Sequence, residues 1–193
     1  ILRDKNVDDK VFPPKAMLAA ASRYKGALIA PEDAVAAEER TGDIRRIRTA
    51  QICAAYAKHL RDAGAMDFDD LLYYTVRLLQ DNPDVLAYYQ RRFRYVLIDE
   101  YQDTNHLQYL FAALMASGSR NICVVGDDDQ SIYRFRGATI ENILSFEKQY
   151  PEARVIRLEQ NYRSTGNILA AANAVIANNR ERKGKTLWTK AEA

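Results

Sequence analysis

Residues 95–100 read YVLIDE and residues 121–127 read NICVVGD. Each stretch is a short apolar run that ends in an acidic residue, which is typical of a buried strand in a parallel sheet. The residues between them, from Asn105 to Met115, carry apolar side chains at helical spacing. A strand, a helix and a second strand in this order predict parallel strands joined by a crossover helix, so the fold class is α/β.

A third apolar run, RVIRL at residues 154–158, follows a stretch from Thr139 to Tyr150 that we predict to be helical. We expect this run to be a further parallel strand. In open parallel sheets, ligands bind beyond the carboxyl ends of the strands. Both acidic clusters follow predicted strands, and the sequence therefore predicts a functional site at that edge of the sheet.

The chain up to about residue 92 shows only helical signals. Pro31 stands at a predicted first helical position, and residues 43–63 form a long amphipathic run. Asp67 and Asp69 are candidate caps for a helix that reaches Gln80. This half is predicted to be all-α.

Composition excludes several classes of protein. The formal net charge of the 193 residues is only +2, far from the strongly basic balance that by itself indicates nucleic-acid binding. Cys53 and Cys123 are too few and too far apart for a disulfide framework or a zinc cluster. With no apolar run of about 20 residues and no leader-like segment, we expect a cytoplasmic protein without membrane contact. Because Ile1 rather than methionine comes first, we also expect the natural N-terminus to lie upstream.

Asp99 and Glu100 are paired carboxylates at the end of a predicted strand. A magnesium-nucleotide site needs one carboxylate for the hydrated ion and a neighbour that orients the attacking water and takes its proton. An acidic strand end without a chemical role is the alternative.

Residues 126–138, GDDDQSIYRFRGA, combine acids, an amide, two aromatic rings and two arginines in one segment after a strand. Rings that stack on bases and arginines that meet phosphates are the side chains that bind single-stranded nucleic acid. Two alternatives remain. In the first, Tyr133 and Phe135 only anchor the loop to the core; in the second, the three aspartates form a metal site.

Arg163 lies just before a predicted helix, residues 164–178, that Ser164 or Thr165 would cap. From this position its guanidinium could reach a phosphate held by another domain, as arginine fingers do. A salt bridge to Glu159 is the structural alternative.

These clusters together resemble the UvrD/Rep/PcrA family of superfamily 1 DNA helicases. The resemblance covers nearly everything after Ala65 and is carried by six segments: MDFDDLL at 66–72, LIDEYQDTN at 97–105, 125–138, NILSFE at 142–147, LEQNYRST at 158–165 and LWT at 187–189.

On the nucleotide side, the resemblance implies that Asp99 and Glu100 serve Mg²⁺ and the hydrolytic water of ATP. It further implies that Gln130 senses the γ-phosphate, that Arg163 contacts the γ-phosphate and that Tyr162 stacks on adenine.

On the DNA side, the resemblance implies that Tyr133, Phe135 and Arg136 contact single-stranded DNA, with Phe68 also lining its path. The family usually has tryptophan where this chain has Phe135, so we expect weaker base contact there.

The phosphate-binding loop of the family, Gly-x-x-x-x-Gly-Lys-Thr (Walker A), is absent from this sequence. Gly184-Lys185-Thr186 matches the last three residues of this motif, but Asn179 stands where its first glycine belongs. The segment also follows a predicted helix, whereas the motif follows a strand. We therefore expect the isolated chain to be inactive, with the true loop upstream.

The resemblance implies a helical accessory domain (1B-like) at residues 1–92, a partial RecA-like motor domain (1A-like) at 93–157 and the start of a second motor domain (2A-like) at 158–193. It implies a 3′ to 5′ helicase or translocase that acts on single strands and their junctions with duplex, with repair or replication proteins as partners. A stand-alone single-strand-binding module, a partner-docking module and a helicase-nuclease subunit are the alternatives.

Overall fold

A computed structural model of the chain describes residues 1–2, 6–133, 137–179 and 184–191. The chain forms two compact units. The first holds Ile1–Leu97 and Asn105–Cys123, and the second holds Ile98–Thr104 and Val124–Ala193. Neither unit is a single continuous stretch of sequence.

The first unit is helical apart from the strand residues that it shares with the sheet. Its helices are α1 (Pro14–Gly26), α2 (Pro31–Glu39), α3 (Ile44–Asp62), α4 (Phe68–Asp81), α5 (Pro83–Arg92) and α6 (His106–Ala116). Proline opens α1, α2 and α5, where its missing N–H has no partner to lose and its fixed φ suits the helix. The predicted helical character of the described residues up to 92 is confirmed.

Side-chain caps set the starts of α4 and α6. Asp67 accepts a hydrogen bond from the Asp70 N–H, and Asp70 accepts one from the Asp67 N–H, which completes a capping box at α4. Asn105 and Gln108 form the same arrangement at α6. The core below these caps includes Tyr73, Val76 and Leu107, which pack α4 against α6.

Two strands, β1 (Val96–Ile98) and β2 (Ile122–Val124), pair in parallel on either side of α6 in sequence. The Val96 N–H donates to the Asn121 carbonyl oxygen, and the Val125 N–H donates to the Ile98 carbonyl oxygen. The predicted strand, crossover helix and strand are confirmed, and the chain is of mixed α/β class.

The predicted third strand at residues 154–158 is wrong. No strand of the described residues pairs with this run, and Val155, Ile156 and Leu158 are exposed. A strand needs a neighbour for its backbone N–H and C=O groups, which composition alone cannot supply.

The predicted helix from Thr139 to Tyr150 is also wrong in detail. It is divided into α7 (Glu141–Leu144) and α8 (Phe146–Gln149). Between them, the Ser145 hydroxyl donates to the Glu141 carbonyl oxygen, a local bond of the kind that competes with regular helix geometry. The last helix, α9 (Gly166–Ile176), follows Thr165. In the described part of the chain, no helix has the length and apolar character to cross a membrane.

Candidate functional site

The acidic pair after β1 has an unusual backbone. Glu100 adopts φ 50° and ψ 42°, the left-handed region that side chains other than glycine rarely occupy. Its N–H donates to Asp99 Oδ1 at 2.9 Å, and both carboxylates are exposed. Strained residues of this kind concentrate at functional sites, so the turn at Glu100 supports a functional role for the pair.

A buried amide, that of Gln102, connects this pair to the second acidic cluster. Only 1% of Gln102 is exposed. Its Nε2 donates to Glu100 Oε2 at 2.8 Å, and its Oε1 accepts the Asp127 N–H at 2.9 Å. A role for Gln102 could not be predicted from the sequence, because a buried amide in a polar run cannot be distinguished from a solvated one until its burial is known.

Gly126 allows the two clusters to approach each other. A Cβ at this position would lie 2.6 Å from Gln102 Oε1 and 2.9 Å from Ile143 Cδ1, distances that real Cβ atoms essentially never show. The glycine at the end of the second apolar run is therefore required by close packing against the amide.

The turn after Gly126 orients Gln130. Asp127 Oδ1 accepts the Asp129 N–H at 3.0 Å, while Asp127 Oδ2 accepts Gln130 Nε2 at 2.7 Å. A single 3-10 turn covers Asp128–Gln130. Asp127 therefore fixes both the local backbone and the exposed Gln130 side chain.

Lys185, from the segment with the Walker-like ending, makes an ion pair in this cluster. Its Nζ donates to Asp127 Oδ1 and lies 3.7 Å from Asp129 Oδ2. Burial of Asp127 acts to raise the pKa of its carboxyl group, but the hydrogen bonds from Lys185 and Gln130 outweigh burial and lower that pKa. The lysine thus contacts carboxylates of its own chain, and no helix follows it in the described segment 184–191.

The alternative of a metal site at three aspartates has the required proximity. One carboxylate oxygen from each of Asp127, Asp128 and Asp129 lies within 4.8 Å of the others. The Lys185 ammonium, however, already supplies positive charge to two of these groups. Nothing else at the cluster points to an ion.

Tyr162 and Arg163 are both exposed, Tyr162 by 85%. Asn161 Oδ1 accepts the N–H groups of Arg163 and Ser164 at 2.9 and 2.8 Å. Thr165 is the N-cap residue of α9, which is one of the two predicted cap positions, but its side chain makes no capping hydrogen bond. Asn161 organises the preceding turn. No ion pair joins Arg163 to Glu159, and no hydrogen bond links Tyr162 or Arg163 to Glu100 or Gln130 among the described residues.

The side chains predicted to contact DNA are only partly described. Tyr133 is 37% exposed, and its carbonyl oxygen accepts the Ala138 N–H at 3.4 Å. Phe135 and Arg136 lie outside the described residues. Phe68, the first residue of α4 in the first unit, is 90% exposed.

Several known proteins are similar in sequence to this chain. A family profile described as the UvrD/REP helicase N-terminal domain matches residues 1–151. A curated protein of Staphylococcus aureus (strain Mu50), "ATP-dependent DNA helicase PcrA", is 51% identical over 189 residues, which is 98% of this chain and 26% of that protein. The protein of the same name from Staphylococcus epidermidis is 50% identical over the same length. The chain thus spans about a quarter of the length of these relatives.

Proposed function

Because this chain belongs to the UvrD/REP helicase family, we propose that it forms part of the ATP hydrolysis centre and DNA path of an ATP-dependent DNA helicase. The resemblance to UvrD, Rep and PcrA that the sequence motifs predicted is confirmed. The activity of the whole helicase is the proposal, since the relatives are about four times as long as the matched segment.

The observation that carries this proposal is the hydrogen-bonded connection between the two acidic clusters. Beyond the ends of two parallel strands, a series of hydrogen bonds joins Glu100 to Gln102, Gln102 to Asp127, and Asp127 to Gln130. Nucleotide hydrolysis requires a carboxylate that receives the proton of the attacking water close to a group that meets the γ-phosphate. This connection brings together the side chains suited to both tasks.

Asp99 and Glu100 suit a magnesium ion, because Mg²⁺ prefers oxygen ligands and both carboxylates are exposed. When bound, the ion would neutralise phosphate charge. The Glu100 carboxylate receives a hydrogen bond from Gln102 at Oε2, and its other oxygen would take the proton from the attacking water. The Gln130 amide, oriented by Asp127, would contact the γ-phosphate.

Tyr162 and Arg163 complete the nucleotide side of the proposal. An exposed ring such as that of Tyr162 offers a face for adenine, and the exposed Arg163 guanidinium offers a partner for the γ-phosphate. The turn around Asn161 would hold the two residues in place.

The DNA-facing part of the proposal includes Tyr133, Phe135 and Arg136, with Phe68 as a further contact. Bases of any identity would stack on the rings of Tyr133 and Phe135, and the Arg136 guanidinium would pair with DNA phosphates. Gln130 precedes Tyr133 by three residues. A movement of Gln130 on binding or losing the γ-phosphate would therefore reach the DNA-contacting Tyr133 through only three residues of chain.

For the longer protein, we propose a helical accessory domain at residues 1–92, motor domain residues at 93–157 and the start of a second motor domain at 158–193. The proposed substrates are single-stranded DNA and its junctions with duplex, with translocation from 3′ to 5′ and a role in repair or replication. This chain contains no Gly-x-x-x-x-Gly-Lys-Thr loop, so the isolated chain should not hydrolyse ATP.

The proposal can be tested by replacing the matched 189 residues of the Staphylococcus aureus relative with this chain. We expect ATP hydrolysis that single-stranded DNA stimulates, and a fall of about 10²–10⁴-fold in kcat on Glu100→Gln, because general base catalysis is lost. The isolated chain and its Glu100→Gln variant should show no turnover. A folded chimera without DNA-stimulated hydrolysis would contradict the proposed function.

A further inference from the structure

The side chain of Gln102 bonds to both segments of the candidate hydrolysis centre. One end of its amide donates to the Glu100 carboxylate and the other accepts from the backbone of Asp127. The two segments are also joined by their backbones, since the Tyr101 N–H donates to the Val125 carbonyl oxygen at 2.9 Å.

A primary amide is the chemical group that this place requires. The Glu100 carboxylate needs a donor, whereas the Asp127 N–H needs an acceptor. The side chains of glutamine and asparagine offer both functions at fixed separation without a net charge. Gln102 is 1% exposed, so the amide itself is shielded from water, and a change of this side chain would remove a buried acceptor from the Asp127 N–H.

The surroundings of the amide restrict its movement. Gly126 lies so close that a methyl group there would overlap Gln102 Oε1. Beyond Asp127, the Asp127 carboxylate holds the Gln130 amide at 2.7 Å. A displacement of Gln130 would therefore be transmitted through Asp127 and Gln102 to the Glu100 carboxylate.

We propose that Gln102 is a positioning residue of the hydrolysis centre, which holds the Glu100 carboxylate and the turn at Asp127–Gln130 in one arrangement. The inference rests on the proposed function for its catalytic consequence. Gln102 contacts no reacting atom itself. When the Gln130 amide contacts the γ-phosphate, Gln102 would keep the Glu100 carboxylate aligned with the attacking water.

The bridge is tested first in this chain, by amide hydrogen exchange and NMR. Gln102→Met keeps the length of the side chain and removes the hydrogen bonds of the amide to Glu100, Asp103 and the Asp127 N–H. The Asp127 amide should then exchange about tenfold faster. Gln102→Glu keeps an acceptor for the Asp127 N–H, so that amide should stay protected. Glu100→Ala should shift the Gln102 side-chain NH₂ resonance.

The catalytic consequence is tested in the chimera with the Staphylococcus aureus relative. Gln102→Met and Gln102→Glu should each lower kcat about 10- to 100-fold, because the loss of a group that orients a functional carboxylate has an effect of this size. KM for ATP should be unchanged. In a Glu100→Gln background the Gln102→Met change should add little, because the group that it positions is already disabled.

Asn142 provides the matched control. Its amide is also buried, but it donates to Thr104 at 3.0 and 3.1 Å. Asn142→Leu should lower stability, leave the exchange of the Asp127 amide unchanged and act additively with Glu100→Gln.

An Asp127 amide whose exchange is the same in Gln102→Met and wild type would overturn the inference, as would additive effects of Gln102→Met and Glu100→Gln on kcat. A wild-type chimera that folds but hydrolyses no ATP would instead contradict the proposed function. In that case the exchange and NMR measurements alone would decide whether Gln102 holds the two segments together.

Discussion

At the scale of single residues, the closest packing in the candidate site is around Gly126. We expect Gly126→Ala to destabilise the chain by about 1–3 kcal/mol, because the new methyl group would overlap the side chains of Gln102 and Ile143. Urea unfolding at pH 7 measures this difference. Gly166→Ala is the control, since a Cβ there meets nothing within 4 Å, and equal effects of the two substitutions would contradict the packing argument.

Lys185 carries a second prediction at this scale, on pH dependence. The pKa of Asp127 is lowered from its ordinary 3.8 although burial acts to raise it, because Lys185 and Gln130 donate hydrogen bonds to its carboxylate. A lowered carboxyl pKa contributes stability above the ordinary pKa, and that stability is lost as the pH falls through the folded-state pKa. Lys185→Met should therefore cost about 1.5–3 kcal/mol at pH 7 and progressively less below pH 3.8.

The measurement for Lys185 is the free energy of unfolding of wild type and variant across this pH range. Lys190→Met makes the same change of charge at an exposed position nearby. A cost for Lys185→Met that stayed constant down to the lowest pH would show that the ion pair with Asp127 is not its source.

At the scale of elements, the start of α4 depends on a lysine from α1. Lys25 Nζ lies 2.7 Å from Asp67 Oδ2 and 2.8 Å from Asp70 Oδ1, the two residues of the capping box. Burial acts to lower the pKa of Lys25, but its bonds to these carboxylates raise that pKa overall. The ion pair and the cap together hold the turn that bears the exposed Phe68.

We expect Lys25→Met to destabilise the first unit by about 3–5 kcal/mol at pH 7, because two largely buried carboxylates would lose their cation. Denaturant unfolding followed by circular dichroism measures the loss. Lys58→Met, which removes an exposed pair with Asp62, should change stability little. The same small effect for both substitutions would contradict a structural role for Lys25.

The elements also differ in how well local sequence predicts them. The starts of α3, α4 and α6 follow from Asp43, Asp67 and Asn105, whose side chains accept backbone N–H groups of the first turn. By contrast, residues 154–158 have the composition of a strand but no neighbouring strand among the described residues. Caps act within one turn, whereas strand pairing depends on distant residues.

At the scale of the whole molecule, the division of the chain does not follow its order. The segment Ile98–Thr104 with both acidic residues and Gln102 belongs to the second unit, while the following Asn105–Cys123 belongs to the first. A division into three consecutive domains at residues 92 and 157 remains a prediction for the longer protein. The two acidic clusters, although about 27 residues apart in sequence, are part of one unit.

The sequence by itself determined the helical first half, the order of strand, helix and strand at residues 96–124, and the family, because caps, periodicity and motifs are local patterns. Only the tertiary structure decided that Gln102 is buried between Glu100 and Asp127, that Gly126 is needed for this approach and that Lys185 pairs with Asp127. The physical reason is that burial and hydrogen-bond partners arise between residues distant in sequence, and a side chain's type does not reveal which partner it will meet.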